Sequence, residues 1–141
     1  MNDCVFCEIA NGALPCAKVW EDGDLLAFMD IGPIVKGHVL IVPKTHYESI
    51  EGIPDRLWEK LCLLAKRVAE AQRKTLGAEG VNLMQNNGTV AGQEVPHLHL
   101  HVIPRFSGDG HRWNWNPKSY ASLDEAADLA KRLRTEIGSP A

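Results

Sequence analysis

At 141 residues the chain has the length of one domain, enough to bury most of a single core and too little for two ordinary ones. A net charge of −3 removes any global electrostatic case for DNA or an anionic membrane, so a negatively charged ligand has to be held locally. No stretch is long and apolar enough to span a bilayer.

The first segment, "MNDCVFCEIANG", lacks a basic region followed by an apolar run, and a cytoplasmic location is expected. It carries Cys4 and Cys7 as a CxxC pair, two of four cysteines in the chain. In an oxidising compartment four cysteines can form two disulfides, whereas in a reducing one a CxxC is a metal or redox element. The spacing lets two thiolates grip one tetrahedral ion, and a structural zinc site then needs two more nitrogen or sulfur ligands. On the residues alone zinc, a redox pair and idle thiols stay open. Cys16 is assigned no role.

Four short runs read as strands: "LLAFMDI", "HVLIVP", "VNLMQN" and "HLHLHVIP", each rich in branched or apolar residues and bounded by Gly, Pro or Asn. Between the second and third lies "PDRLWEKLCLLAKRVAEAQRKTLG", in which Leu57, Leu61, Leu64, Ala65, Val68 and Leu76 keep a helical period. Pro54 and Asp55 supply its start and Gly77 its stop. Cys62 is expected on the core face of this helix, as a small buried hydrophobe. The segment "RFSGDGHRWNWNPKSYAS" reads as a surface excursion, and a second helix is expected from about Leu123 to Ile137, with Ser122 and Glu125 in capping-box spacing. The expected fold class is α+β, a largely antiparallel sheet with one long helix and a C-terminal helix.

Three of the six histidines fall in "PHLHLHVIPR" at every second position. Side chains alternate faces along a strand, so His97, His99 and His101 project from one face while Leu98, Leu100 and Val102 pack on the other. Neighbouring imidazoles are then roughly 6–7 Å apart at the backbone and can share a metal or a phosphate-sized ligand. Either the face holds a metal, in the manner of an HxH oxygenase or cupin, or it handles protons and phosphoryl groups. A cupin-like site wants a carboxylate shortly after HxH in an all-β sandwich. Here Leu100, His101, Val102 and Ile103 follow His99 and a long helix interrupts the strands, which weakens the metal-oxidase reading.

The run His97-Leu98-His99-Leu100-His101-Val102-Ile103 resembles the motif of the histidine triad (HIT) superfamily of nucleotide hydrolases and transferases. The resemblance extends to "DCVFCEIANGALP", similar to the N-terminal segment of zinc-containing bacterial HIT proteins. It extends also to "DLLAFMDIGPIVKGHVLIVPKTHYESI" and "NNGTVAGQEVPHLHLHVIPR", and covers most of residues 3 to 105 in family order. It implies a single HIT domain over 1–141, with a C-terminal specificity tail over about 105–141.

By the resemblance, His99 is the nucleophile that attacks the α-phosphorus of a nucleotide, forming a nucleotidyl-imidazole that water cleaves. Histidine suits the task because it is neutral and nucleophilic near pH 7. His101 and His38 would flank the phosphate as donors to oxygens that gain charge. Gln93 and Asn86 resemble family positions that contact the phosphates, and Asp30 one that takes ribose hydroxyls. Ile9, Phe28 and Ile31 would wall the base, with ordinary core packing an equal reading for Phe28 and Ile31. His46 and His97 are the resemblance's candidates to join Cys4 and Cys7 on a structural zinc, with no organic cofactor. The family also implies a homodimer acting on a purine nucleotide, with no DNA or membrane partner.

Glu94 departs from members that carry a hydroxyl residue after the glutamine, which puts the leaving group in doubt. Beyond Arg105, "GDGHRWNWNP" partly resembles dinucleoside polyphosphate hydrolases. There His111, Arg112, Trp113 and Trp115 would meet distal phosphates or a second base, or pack the tail against the body or a partner subunit. Superfamily transferases typically replace the last histidine of the triad, so His101 implies hydrolysis. Dinucleoside polyphosphates are the first expectation for the substrate. Nucleoside phosphoramidates, including aminoacyl adenylates, are the second, and a nucleotide-binding protein with little turnover is the third.

Overall fold

The computed structural model describes residues 3–139. Met1, Asn2, Pro140 and Ala141, the ends of the expected 1–141 domain, lie outside the described residues. The chain divides into two compact units, Met1–His111 and Arg112–Ala141.

In the first unit α1 (Val5–Ala10), β1 (Lys18–Glu21), β2 (Leu25–Met29), β3 (Val39–Pro43), α2 (Asp55–Leu76), β4 (Gly80–Met84), a 3₁₀ turn at Thr89–Ala91 and β5 (Leu100–Arg105) follow in order. The strands form one five-stranded sheet in the order β1-β2-β3-β5-β4, antiparallel at every pairing, as the α+β expectation required.

The α2 helix begins after Pro54 and ends at Gly77, whose φ of 71° closes the helix by donating its N–H to Gln72 O. Its buried stripe is Leu61, Leu64, Ala65, Val68 and Gln72, the 3.6-residue period on one face. This stripe packs on Leu25, Ala27, Val39, Ile41, Leu98, Leu100 and Val102. The alternate residues Leu26, Phe28, Leu40 and Val42 point to the opposite face, where α1 covers them with Phe6. Strands β2 and β3 are thus buried on both faces, which accounts for their unbroken apolar runs.

Cys62 corrects the sequence expectation: it is exposed. One residue along a helix is a 100° turn, so the neighbour of fully buried Leu61 swings off the core stripe.

Besides the 3₁₀ turn, two elements have no counterpart among the expected ones. The six-residue α1 is started by the Cys4 thiol, which accepts from Cys7 N–H, and β1 is exposed along its whole length. The second unit contains α3 (Leu123–Ile137), where expected. Ser122 Oγ accepts from Glu125 N–H at 3.2 Å, and the Glu125 carboxylate accepts from Ala121 N–H at 3.1 Å.

Candidate active site

The four expected strands all form, but apart from His101 on β5 the residues that carry chemistry lie just beyond their ends. Asp30 follows β2, His38 precedes β3, Asn86 follows β4, and His97 and His99 precede β5. The backbone of these residues makes bonds outside the regular ladder. Asp30 N–H donates to His38 O at 2.9 Å, His38 N–H to Val35 O at 3.0 Å, and Leu98 N–H to Tyr47 O at 2.6 Å. The side chains gather where the strands end, on the sheet face away from α2.

Gly37 makes the approach to His38. Its φ is 102°, and a Cβ there would lie 2.8 Å from Leu76 Cδ1 and 3.0 Å from Pro104 Cγ, so α2 and β5 press directly on the turn. His101, on β5, lies across from Leu40 and Met84.

Hydrogen bonds fix the protons of His38, His99 and His101. His38 Nδ1 accepts from Ile34 N–H at 3.1 Å, which leaves the proton on Nε2. That Nε2–H donates to His101 Nδ1 at 2.8 Å and lies 3.6 Å from Asp30 Oδ2. His101 is left with its own proton on Nε2. His99 donates Nδ1–H to the backbone carbonyl of His97 at 2.7 Å, so its Nε2 keeps a bare lone pair.

Burial is the main force lowering the proton affinity of all three. His101 is pushed down to about 4 by desolvation, then by its neighbours His99 and His38, with Asp30 opposing. His38 and His99 are lowered chiefly by the same desolvation; Asp30 opposes it at both, and Glu94 at His99 alone. At pH 7 the three rings are neutral.

They open onto a cavity of about 580 Å³ bordered by Asp30, His38, His99, His101, Asn86 and Glu94. Ile9, Phe28 and Ile31 are brought to the same cavity, Phe28 buried at 3% exposure and Ile31 fully exposed at its mouth. Among the described residues no lysine or arginine borders it.

Gln93 is not brought there. Its Oε1 accepts from Gly88 N–H at 2.8 Å and its Nε2 donates to Glu48 O at 2.7 Å and Val95 O at 3.1 Å, so the amide is spent on the backbone. His111 belongs to the first unit but does not border the cavity, while Arg112, Trp113 and Trp115 belong to the second.

Phe6 was not anticipated. Its ring stands edge-on to His99 at 5.0 Å, His97 at 5.9 Å and Phe28 at 5.7 Å between centroids, and it borders the cavity. Its position between Cys4 and Cys7 is the only sequence signal, and it becomes meaningful only once α1 is seen to lie over the histidines.

The second cluster joins Cys4, Cys7, His46 and His97, with ligand atoms all within 4.8 Å of one another. His97 Nδ1 lies 3.3 Å from Cys4 Sγ, 3.5 Å from Cys7 Sγ and 3.1 Å from His46 Nδ1. Cys7 Sγ lies 3.3 Å from His46 Nδ1. These separations are close to the edges, about 3.3–3.8 Å, of a tetrahedron built on zinc–nitrogen and zinc–sulfur bonds. His97 Nε2–H donates to Pro43 O at 2.8 Å, which leaves Nδ1 as a lone-pair ligand facing the cluster. The donor set fits a structural zinc.

A model of the HIT domain matches residues 11–108. The chain is 41% identical over 137 residues to an adenosine 5'-monophosphoramidase of Schizosaccharomyces pombe, covering 95% of this chain and 98% of that one. The crystal structure of a HIT family member from Bacillus subtilis superposes with a TM-score of 0.89 at 36% identity, covering 99% of this chain and all of that one. A Zn-bound histidine triad family protein from Mycobacterium smegmatis superposes with a TM-score of 0.75 at 34% identity, over 95% and 97% of the two chains.

Proposed function

Because the chain belongs to the HIT domain family, we propose that it is a hydrolase of nucleotide derivatives that cleaves at the α-phosphate with His99 as nucleophile. The observation that carries this is the bond from His99 Nδ1–H to His97 O, which holds a neutral, unprotonated Nε2 at the cavity wall.

The reaction runs in two displacements. His99 Nε2 forms a bond to phosphorus as the bond to the leaving group breaks, and the leaving atom departs with the bonding pair and takes the Nε2 proton of His101. Water then adds to phosphorus and gives a proton to His101 Nε2, the P–Nε2 bond to His99 breaks, and the nucleoside monophosphate is released. His101 Nε2–H donates to phosphoryl oxygens as they gain charge, and His38 holds His101 in the tautomer that makes this possible. Asp30 takes the ribose hydroxyls, Asn86 a phosphate oxygen, and Ile9, Phe28 and Ile31 the purine. We assign Gln93 a different task from its expected phosphate contact, that of pinning the loop before the triad.

On the leaving group, the site favours a nucleoside phosphoramidate over a dinucleoside polyphosphate. A polyphosphate leaving group carries several negative charges and calls for guanidinium or ammonium partners, and none borders the cavity among the described residues. The similarity to a monophosphoramidase points the same way. Adenosine 5'-phosphoramidate and diadenosine tetraphosphate, compared side by side, test this. Higher kcat/KM for the phosphoramidate is expected, and preference for the tetraphosphate would return the tail to the active site.

Cys4, Cys7, His46 and His97 are proposed to hold a structural zinc that ties α1 to the triad segment. A homodimer is also proposed. The open edge of β4 with Leu83 at 55% exposure, and Leu63 at 62% on α2, support it. A cytoplasmic location and the reading of one HIT domain with a C-terminal specificity tail belong to the same proposal. No helix among the described residues is long and apolar enough to cross a membrane.

A further inference from the structure

We infer that Glu94 sets the charge of the leaving group, admitting an amine whose far end carries a second positive charge and turning away polyanions. The inference rests on the hydrolase reading above and names the substrate class of the same site.

Glu94 borders the catalytic cavity with His99 and is the one residue shared with an adjoining hollow of about 470 Å³. A leaving group directed from His99 toward that hollow passes Glu94. The acidic side chains on the catalytic cavity are Asp30 and Glu94, and no lysine or arginine borders it among the described residues. Asp30 stands beside His38, 3.6 Å from its Nε2, and does not border the adjoining hollow, whereas Glu94 borders both.

Beyond it the hollow adds Glu48 and Glu51, and again no lysine or arginine borders it among the described residues. No basic side chain pairs with Glu48, Glu51 or Glu94 among the described residues. The walls are preformed. Gln93 ties the loop at Gly88 to Glu48 O, and Ile50 N–H donates to Asn87 Oδ1 at 2.7 Å. Their geometry therefore does not depend on the ligand, and the exit keeps its negative sign.

A cationic tail is attracted along this exit and a pyrophosphate tail is repelled. Both effects are those of partly exposed charges, so they are modest and weaken with salt.

The test compares adenosine 5'-phosphoramidates of 1,4-diaminobutane and n-butylamine, whose far ends differ by one ammonium, together with diadenosine tetraphosphate. Each is measured with the full chain and with Glu94→Gln, which keeps the size and loses the charge. The wild type is expected to favour the diamine over the butylamine derivative by about fivefold in kcat/KM at low salt. Glu94→Gln is expected to bring that ratio toward one and to raise kcat/KM for the tetraphosphate. Equal turnover of the two phosphoramidates by the wild type, or a ratio unmoved by Glu94→Gln, overturns the role of Glu94 and leaves the hydrolase reading standing. Turnover of none of the three above a His99→Asn background overturns the hydrolase reading itself.

Discussion

His99 donates its Nδ1–H to the backbone carbonyl of His97 at 2.7 Å, while the ring of His97 turns Nδ1 toward Cys4, Cys7 and His46. One residue therefore does two jobs: its carbonyl selects the tautomer of the nucleophile, and its imidazole completes a ligand cluster. The alternation in "HLHLH" puts both tasks on one sheet face, and the apolar positions between them anchor that segment to α2.

The cluster makes a stability prediction. Bound zinc stabilises the folded chain by mass action, so purified protein should carry about one zinc, and chelation should lower Tm by about 5–10 °C. Cys4→Ala should abolish both the zinc and the effect of chelator. Metal-free protein whose Tm ignores chelator would remove zinc from the account.

Acid should act through His101, held at about 4 mainly by burial, against an ordinary value of 6.5. A depressed value means that the unfolded chain takes up this proton first as pH falls. The associated stability is complete above about 6.5 and is lost as pH drops through about 4. The kcat/KM profile should be flat from pH 8 to about 5.5 and fall toward 4 as the neutral His38–His101 pair is broken. A profile that falls with a midpoint near the ordinary histidine value would show that burial does not control this ring.

Gly37→Ala should destabilise the protein by about 1–3 kcal/mol, since the new Cβ meets α2 and β5 in a conformation alanine disfavours. Thermal unfolding would read it directly. Because the turn delivers His38, kcat should fall in the same variant at temperatures where it remains folded. Gly23→Ala, with nothing near its Cβ and no positive φ, serves as the control that should change neither.

What the sequence made legible follows from how far each signal reaches. The α2 and α3 helices run long enough for periodicity and carry their own stops and caps, and both formed at the expected residues. The alternating histidines and CxxC were equally plain, because a two-residue or three-residue spacing is local. Helix α1 escaped notice because six residues show less than two turns of pattern, and its cap is a thiol. Cys62 was misjudged because it neighbours the stripe of Leu61 and Leu64 without belonging to it. Gln93 and Phe6 depended on contacts across the fold: the partners of Gln93 include the carbonyl of Glu48, and the histidines that Phe6 meets lie some ninety positions downstream. No spacing within the chain encodes such partners.

The central claim is that His99 is the nucleophile. It is tested most directly by measuring kcat/KM for adenosine 5'-phosphoramidate and the Kd of AMP for the wild type and His99→Asn under identical conditions. The account predicts a loss of turnover of about a thousandfold or more in the variant, with AMP affinity changed only a few-fold. Turnover retained by His99→Asn would contradict it.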